Sequence, residues 1–292
     1  MSRSKLTALA GATAVTLALL AAGCGGSSNK SAATTTTSAG SGASITAPAS
    51  IKSAGTLVFC SDITYPPEES YKAGTTTPEG SDIDIGTDVA RRMGVKARFD
   101  NTGFDGIIAA LLAKKCDAVI SGMNDTPERR KQAAFVDYLK VGQSFMVKSG
   151  NPEHITSIAS LAGKAASVET GTTNKDYLDA QSKMLKDQGK KGIKVVTFPK
   201  DTDAANALKT DKVDAYFGDA PVAAYYIEKD PSAFAVGGTP VNPIPIGIAI
   251  LKSNTELQSA VKQAVDAMYG DGTMHRILVK WKLAEVVQNL KP

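Results

Sequence analysis

One unit of this chain occurs twice at the same internal spacing, and it narrows the choice of folds more than any other feature. From Phe104 to Arg129 the sequence reads as helix, buried strand and a polar tip that opens a second helix. Ile107, Ile108, Leu111 and Leu112 recur on one helix face, with Asp105 as the expected N-cap. Ala118-Val119-Ile120 is a short apolar run, as in a strand covered on both faces. Ser121-Gly122-Met123-Asn124 breaks that run. Thr126-Pro127-Glu128 then marks a helix start, with a capping Thr, Pro in the first turn and an acid near the positive end of the dipole. Ala110-Leu111, Lys115 and Asp117-Ala118 return as Ala207-Leu208, Lys212 and Asp214-Ala215, again ending in a small polar tip, Gly218-Asp219. Two similar α/β lobes, each presenting a strand tip, is one reading; a chance match between two ordinary strand–helix units is the other. Open α/β sheets bind ligands at the carboxyl ends of their strands. The stretch from Ser121 to Arg129 is therefore the first place to look for a ligand.

The start of the chain is a targeting segment. Arg3 and Lys5 form a basic start, Leu6 to Ala22 is apolar, and Ala21-Ala22-Gly23 precedes Cys24. This is the secretory pattern. It resembles a bacterial lipoprotein signal spanning residues 1–24, which implies cleavage before Cys24 and lipid modification of that cysteine. Residues 25–50 are Ser, Thr, Ala and Gly with little to bury, which predicts a flexible tether reaching about 25–30 Å. No later segment is apolar for long enough to span a membrane.

Charge and cysteines exclude several classes. Lys and Arg number 33 against 29 Asp and Glu, and removing Arg3 and Lys5 leaves 31 against 29. That is no basic field for nucleic acid. No His/Cys spacing for a metal and no Ser/His/Asp elbow is present, so neither cofactor nor metal is expected. Export permits a Cys60–Cys116 disulfide. Placing Cys60 near the end of one strand and Cys116 at the start of its neighbour separates them by about four residues along the sheet. A bridge needs Cα atoms within about 7 Å, so two free, buried thiols are expected.

Further motifs extend over most of the body: GTLVFCSDITYPP at 55–67, GSDIDI at 80–85, FDGII at 104–108, Ser121-Gly122-Met123 with Thr126-Pro127-Glu128-Arg129, GTTN at 171–174, DAYFGDA at 214–220, DGT at 271–273 and KWKL at 280–283. With them the chain resembles the extracellular solute-binding proteins of polar amino acid ABC importers (family 3). The resemblance implies a two-lobed periplasmic-binding-protein-like α/β fold, each lobe a mostly parallel sheet flanked by helices, joined by two crossovers. Residues 51–147 and 245–292 would form the first lobe and 148–244 the second. The apolar strands at 143–148 and 246–251 agree with two crossovers.

An α-amino acid presents a carboxylate, an ammonium and a side chain. The resemblance gives the carboxylate to Arg129 and to Thr172 and Thr173, and the ammonium to Asp219. It gives lobe-one hydrogen bonds to Ser121, Gly122, Met123 and Asn124, and the sandwich around the side chain to Tyr65 and Phe104. Thr172 and Thr173 also read as ordinary N-capping residues, and Asp219 as the cap of the helix near Pro221. Glu68 departs from the family pattern, which usually has Phe after Tyr-Pro-Pro. With Asp62 nearby it points to a cationic ligand, whereas a solvated loop acid is the plainer reading. The expected protein is a monomeric, membrane-anchored receptor that hands its amino acid or related amine to a permease. The rivals are a sensory receptor and a dehydratase-like enzyme on the same fold. His154 and His275, the only two histidines, fall away from any strand tip and are expected at the surface.

Overall fold

The computed structural model describes residues 45–289, all within one compact unit. Residues 1–24, Cys24 among them, and most of the expected tether lie outside the described residues. The tether ends earlier than expected. Ile45 and Ala47 are buried in the same cluster as Ile51 and Leu57, and the Ile45 N–H donates to the Arg92 carbonyl at 3.0 Å. Two apolar side chains in a small-residue run suffice to dock it.

The chain runs through α1 (Ala49–Ala54), β1 (Thr56–Ser61), β2 (Ser70–Tyr71), β3 (Pro78–Glu79), α2 (Ser81–Arg92) and β4 (Lys96–Asn101). A 3-10 turn at Phe104–Gly106 enters α3 (Ile107–Leu112), followed by β5 (Ala118–Val119), α4 (Pro127–Arg130) and the long β6 (Ala133–Lys148). The middle segment holds β7 (Ala165–Glu169), α5 (Thr173–Asp187), β8 (Lys194–Phe198), α6 (Asp201–Lys209), β9 (Ala215–Asp219), α7 (Ala220–Lys229) and β10 (Phe234–Val236). β11 (Val241–Leu251) returns to α8 (Thr255–Gly270), α9 (Thr273–Lys280) and β12 (Gln288–Asn289).

The main sheet has the order β4-β1-β5-β11-β6-β9-β7-β8. Its two wings are parallel, β4-β1-β5 on one side and β9-β7-β8 on the other. The antiparallel pair β6 and β11 joins them. β11 also pairs with β5 and β6 with β9, so these two strands carry the chain between lobes. The fold is two-lobed, as the motifs imply. The inner strands of each wing, β1 and β5 on one side and β7 and β9 on the other, have apolar cover on both faces, whereas the edge strands β4 and β8 keep exposed positions. Among the described residues no helix is long and apolar enough to cross a membrane.

The repeated spacing encodes a repeated helix-to-strand turn. Asp117 Oδ2 accepts from the Val58 N–H at 2.9 Å, and Asp214 Oδ2 from the Ala165 N–H at 2.7 Å. Each aspartate's own N–H donates back to the same residue's carbonyl, at 2.9 Å in both cases. Lys114 and Asp211 take matching positive φ values of 58° and 57° to turn each helix into its strand. The equivalent aspartates thus pin β1 to β5 and β7 to β9, and the strand tips beyond them stand in equivalent places.

Two expectations need correcting here. Asp105 lies inside the 3-10 turn and does not cap α3, whose N-cap position is Gly106. Cys60 and Cys116 form a disulfide, with Cα atoms 5.6 Å apart. Cys60 is level with Val119 in the parallel register, and Cys116 sits in the bend before β5. The chain folds back there, so Cys116 lies over the sheet face and is not displaced along the strand as an extended residue would be.

Candidate functional site

The tip after β5 is built by its own short-range chemistry. Thr126 Oγ1 accepts from the Arg129 N–H at 3.2 Å, and Pro127 fills the first helical position, as read from the sequence. This short helix start aims Arg129 back across the sheet ends. Its guanidinium donates to the Asn124 carbonyl at 2.8 Å and to the Gly171 carbonyl at 3.1 Å, the latter in the second lobe. The same guanidinium lies 5.3 Å from the centre of the Phe104 ring, an attractive cation–π arrangement. Burial lowers the Arg129 pKa, opposed by the carboxylate of Asp219. A half-buried guanidinium whose planar fork is held by carbonyls is suited to exchange them for a carboxylate.

Ser121, Gly122 and Met123 hold the tip in shape. Ser121 Oγ donates to Glu69 Oε1 at 2.7 Å and accepts from the Asp62 N–H at 2.9 Å. The Gly122 N–H donates to Asp82 Oδ2 at 2.7 Å, and the Met123 carbonyl accepts from the Gly247 N–H at 3.0 Å. Gly122 has φ +48°, and a Cβ there would stand 2.8 Å from Tyr65 Cε1, so only glycine lets the tyrosine ring lie on the tip. Asn124 reaches across, its Oδ1 accepting from Thr173 Oγ1 at 2.6 Å, while its buried Nδ2 has no partner.

The second lobe supplies the opposing face. Thr172 Oγ1 accepts from the Lys175 N–H at 3.2 Å and donates to the Glu169 carbonyl at 2.8 Å, so it does cap α5. Asp219 occupies the N-cap position of α7 but its side chain makes no capping hydrogen bond. It accepts instead from Asn174 Nδ2 at 3.2 Å and from the Tyr65 hydroxyl. Burial pushes its pKa up to about 6, with those bonds and Arg129 acting against the rise. The carboxyl is therefore turned away from its helix toward the groups of the other lobe.

The remaining acids are also buried. Asp62 Oδ2 accepts from the Phe104 N–H at 2.7 Å and Oδ1 from Thr64 Oγ1 at 2.7 Å. Its pKa is raised by burial. Glu68 is only 3% exposed and its Oε2 has no hydrogen-bond partner, so it is not a solvated loop acid. Burial, then the neighbouring Asp82 and Asp219, holds it as the neutral acid well above the usual carboxylate range. Tyr65 packs in one cluster with Met146 of the joining strand β6, Tyr216 of β9 and Val222 of α7.

Sequence reasoning missed Glu169 and Asp201. Glu169 ends β7, is 3% exposed, hydrogen-bonds the Asp62 carboxyl across the lobes, and has an unpartnered Oε1. The strand-tip rule that selected Ser121 and Asp219 selects Glu169 as well. Asp201 opens α6 and accepts from the Tyr216 hydroxyl at 2.6 Å. His154 and His275 are exposed and take no part.

The two lobes meet through one half-buried guanidinium and several buried carboxyls, charges of the kind that a small zwitterion would complement. The chain belongs to the bacterial extracellular solute-binding proteins, family 3, whose model matches residues 57–284. It is 31% identical over 247 residues to the putative ABC transporter arginine-binding protein 2 of Escherichia coli, covering 82% of this chain and 95% of that one. It is 30% identical over 239 residues to the L-cystine-binding protein TcyJ of Escherichia coli, covering 82% and 86%. Among solved structures, an ancestral arginine-binding protein bound to arginine superposes with a TM-score of 0.71 at 37% identity, covering 78% of this chain and 98% of that one. The family is extracytoplasmic, and these relatives are binding proteins for amino acids.

Proposed function

We propose that this chain is the substrate-binding lipoprotein of an ABC importer, taking up an amino acid with a cationic side chain. The observation that carries this reading is the charge placed at the meeting of the lobes. The half-buried guanidinium of Arg129 is set against the buried carboxyl of Asp219, while the buried carboxyls of Asp62 and Glu169 meet each other across the lobes with no cation beside them. A neutral amino acid would balance Arg129 and Asp219 alone. The surplus acids call for a further positive charge, and arginine supplies it.

In this reading Arg129, with Thr173, takes the α-carboxylate. Asp219 takes the α-ammonium. Tyr65 and Phe104 enclose the aliphatic stem, and Asp62 and Glu169 stand at the far end. Ser121, Gly122, Met123 and Asn124 shape the tip. Of the described residues, 45–147 and 245–289 make up the first lobe and 148–244 the second, with β6 and β11 as the hinge. Lipidated Cys24 holds a monomeric receptor at the outer face of the membrane, where a permease receives the ligand. No chemical step is needed: capture rests on binding energy and lobe closure.

The test is a melting-temperature screen of residues 45–292 against amino acids, opines and polyamines. A ligand that binds only the native state raises stability as ln(1 + [L]/Kd). Arginine, lysine or ornithine should raise the melting temperature by several degrees at millimolar concentration. If no amino acid or amine moves it, the proposal fails.

A further inference from the structure

Asp62 and Glu169 come from opposite lobes and meet as a carboxyl pair, and this pair is more than a source of negative charge. Both side chains are 97% buried by their 3% exposure, so neither is screened by water. The Glu169 carboxyl donates to Asp62, and the Asp201 backbone N–H donates to Glu169. Asp62 is otherwise fixed by the Phe104 N–H and the Thr64 hydroxyl. One Glu169 oxygen, Oε1, is buried with no partner. The titratable groups facing the pair are Asp201 at the start of α6, Glu69 in the β1–β2 loop and Tyr226 on α7. All three are acids or phenols, so none neutralises it. Two carboxylates in such a place cannot both ionise, and the pair retains one proton.

Resting on the functional reading above, we propose that this pair is a proton-exchange subsite for the cationic end of the ligand. Binding swaps the shared proton for the ligand's own positive charge. The Glu169 O–H bond breaks and its proton leaves to solvent. The guanidinium or ammonium N–H groups then donate to the vacated oxygen, to Oε1 and to Asp62. Charge balances: one proton departs as one cation arrives. Glu169 therefore sets specificity. A ligand with a neutral distal group leaves the proton in place and gains nothing from the second carboxyl.

The experiment is titration calorimetry of the protein with arginine and with citrulline, its neutral isostere, in buffers of different ionisation enthalpy. Asp219 would face the α-ammonium of both ligands, so its contribution cancels in the comparison. Arginine should release about one more proton than citrulline near neutral pH, and its affinity relative to citrulline should climb by up to about tenfold per pH unit. Glu169→Gln keeps the shape and the hydrogen bond to Asp62. It should abolish the extra proton release and flatten the pH slope for arginine. Arginine binding with the same proton count and pH slope as citrulline would overturn the exchange and leave the functional reading standing. Extra release that persists in Glu169→Gln would also overturn the assignment. If neither arginine nor any other amino acid binds, both proposals fall together.

Discussion

Arg129 and Asp219 are opposed across the cleft, and each compensates the other's burial: the Asp219 charge raises the pKa of Arg129, and Arg129 lowers that of Asp219. Arg129→Ala or Asp219→Ala leaves one ligand charge unpaired in a closed cleft. Either should weaken arginine binding by at least about 2 kcal/mol, roughly thirtyfold. Unchanged affinity in both, read by calorimetry, would remove the site assignment. Glu68 calls for the opposite expectation. It is already held as the neutral acid by burial beside Asp82, so Glu68→Gln exchanges one neutral group for another of the same shape. The preference for arginine over citrulline should change by less than about twofold, on the scale where 1.4 kcal/mol is tenfold. A large selective loss would mean that the Glu68 charge faces the ligand after all. The places of Arg129 and Asp219 at strand tips were legible in the sequence because each sits beside a local helix signal, Thr126-Pro127 and Pro221, while the roles proposed for them came from the family resemblance. Glu169 was not, because its significance depends on meeting Asp62, a contact made only by lobe packing.

The elements bearing these residues are fixed by two kinds of cross-tie. The aspartates Asp117 and Asp214 anchor each helix-to-strand turn, and in the first lobe the Cys60–Cys116 disulfide adds a covalent link. It closes a segment with a sequence separation of 56 residues. Loop-closure entropy for that length amounts to about 4 kcal/mol, a ceiling from which native-state strain subtracts. Replacing both cysteines, Cys60→Ala with Cys116→Ala, should therefore lower unfolding free energy by about 2–4 kcal/mol in urea titration. Binding of the ligand should survive, since neither sulfur is among the groups proposed to touch it. A double variant as stable as the parent would show the bridge to be absent in solution. The repeat and the capping Thr126 could be read from periodicity and spacing, which are local, whereas the two crossovers came from the family resemblance. The disulfide could not: whether Cys116 is in line with its strand or folded over the sheet is decided by the Lys114 turn, which the apolar pattern does not reveal.

At the scale of the whole molecule, seven buried acids share one bias. Asp62, Glu68, Glu69, Asp82, Glu169, Asp201 and Asp219 all have raised pKa values, and burial is the largest cause in each. Folding thus favours their protonated forms, so the native state binds more protons than the unfolded chain. Stability from this source is complete below the ordinary carboxylate range and is lost as pH rises through the folded values, about 6 for Asp219 and higher for the most deeply held groups. For Asp219 alone, a rise from 3.8 to about 6 corresponds to about 3 kcal/mol withdrawn by neutral pH. Without added ligand, the melting temperature should fall steadily from about pH 5 to pH 8 as these carboxyls are forced to ionise. Arginine should oppose that fall, because its two positive groups compensate the charges that destabilise the fold. The ligand-induced rise in melting temperature should therefore grow with pH over the same window, while citrulline's grows less. A melting temperature that is flat or rising across this window without ligand would show that the buried acids are already ionised and compensated, and that the cleft is not held short of one positive charge.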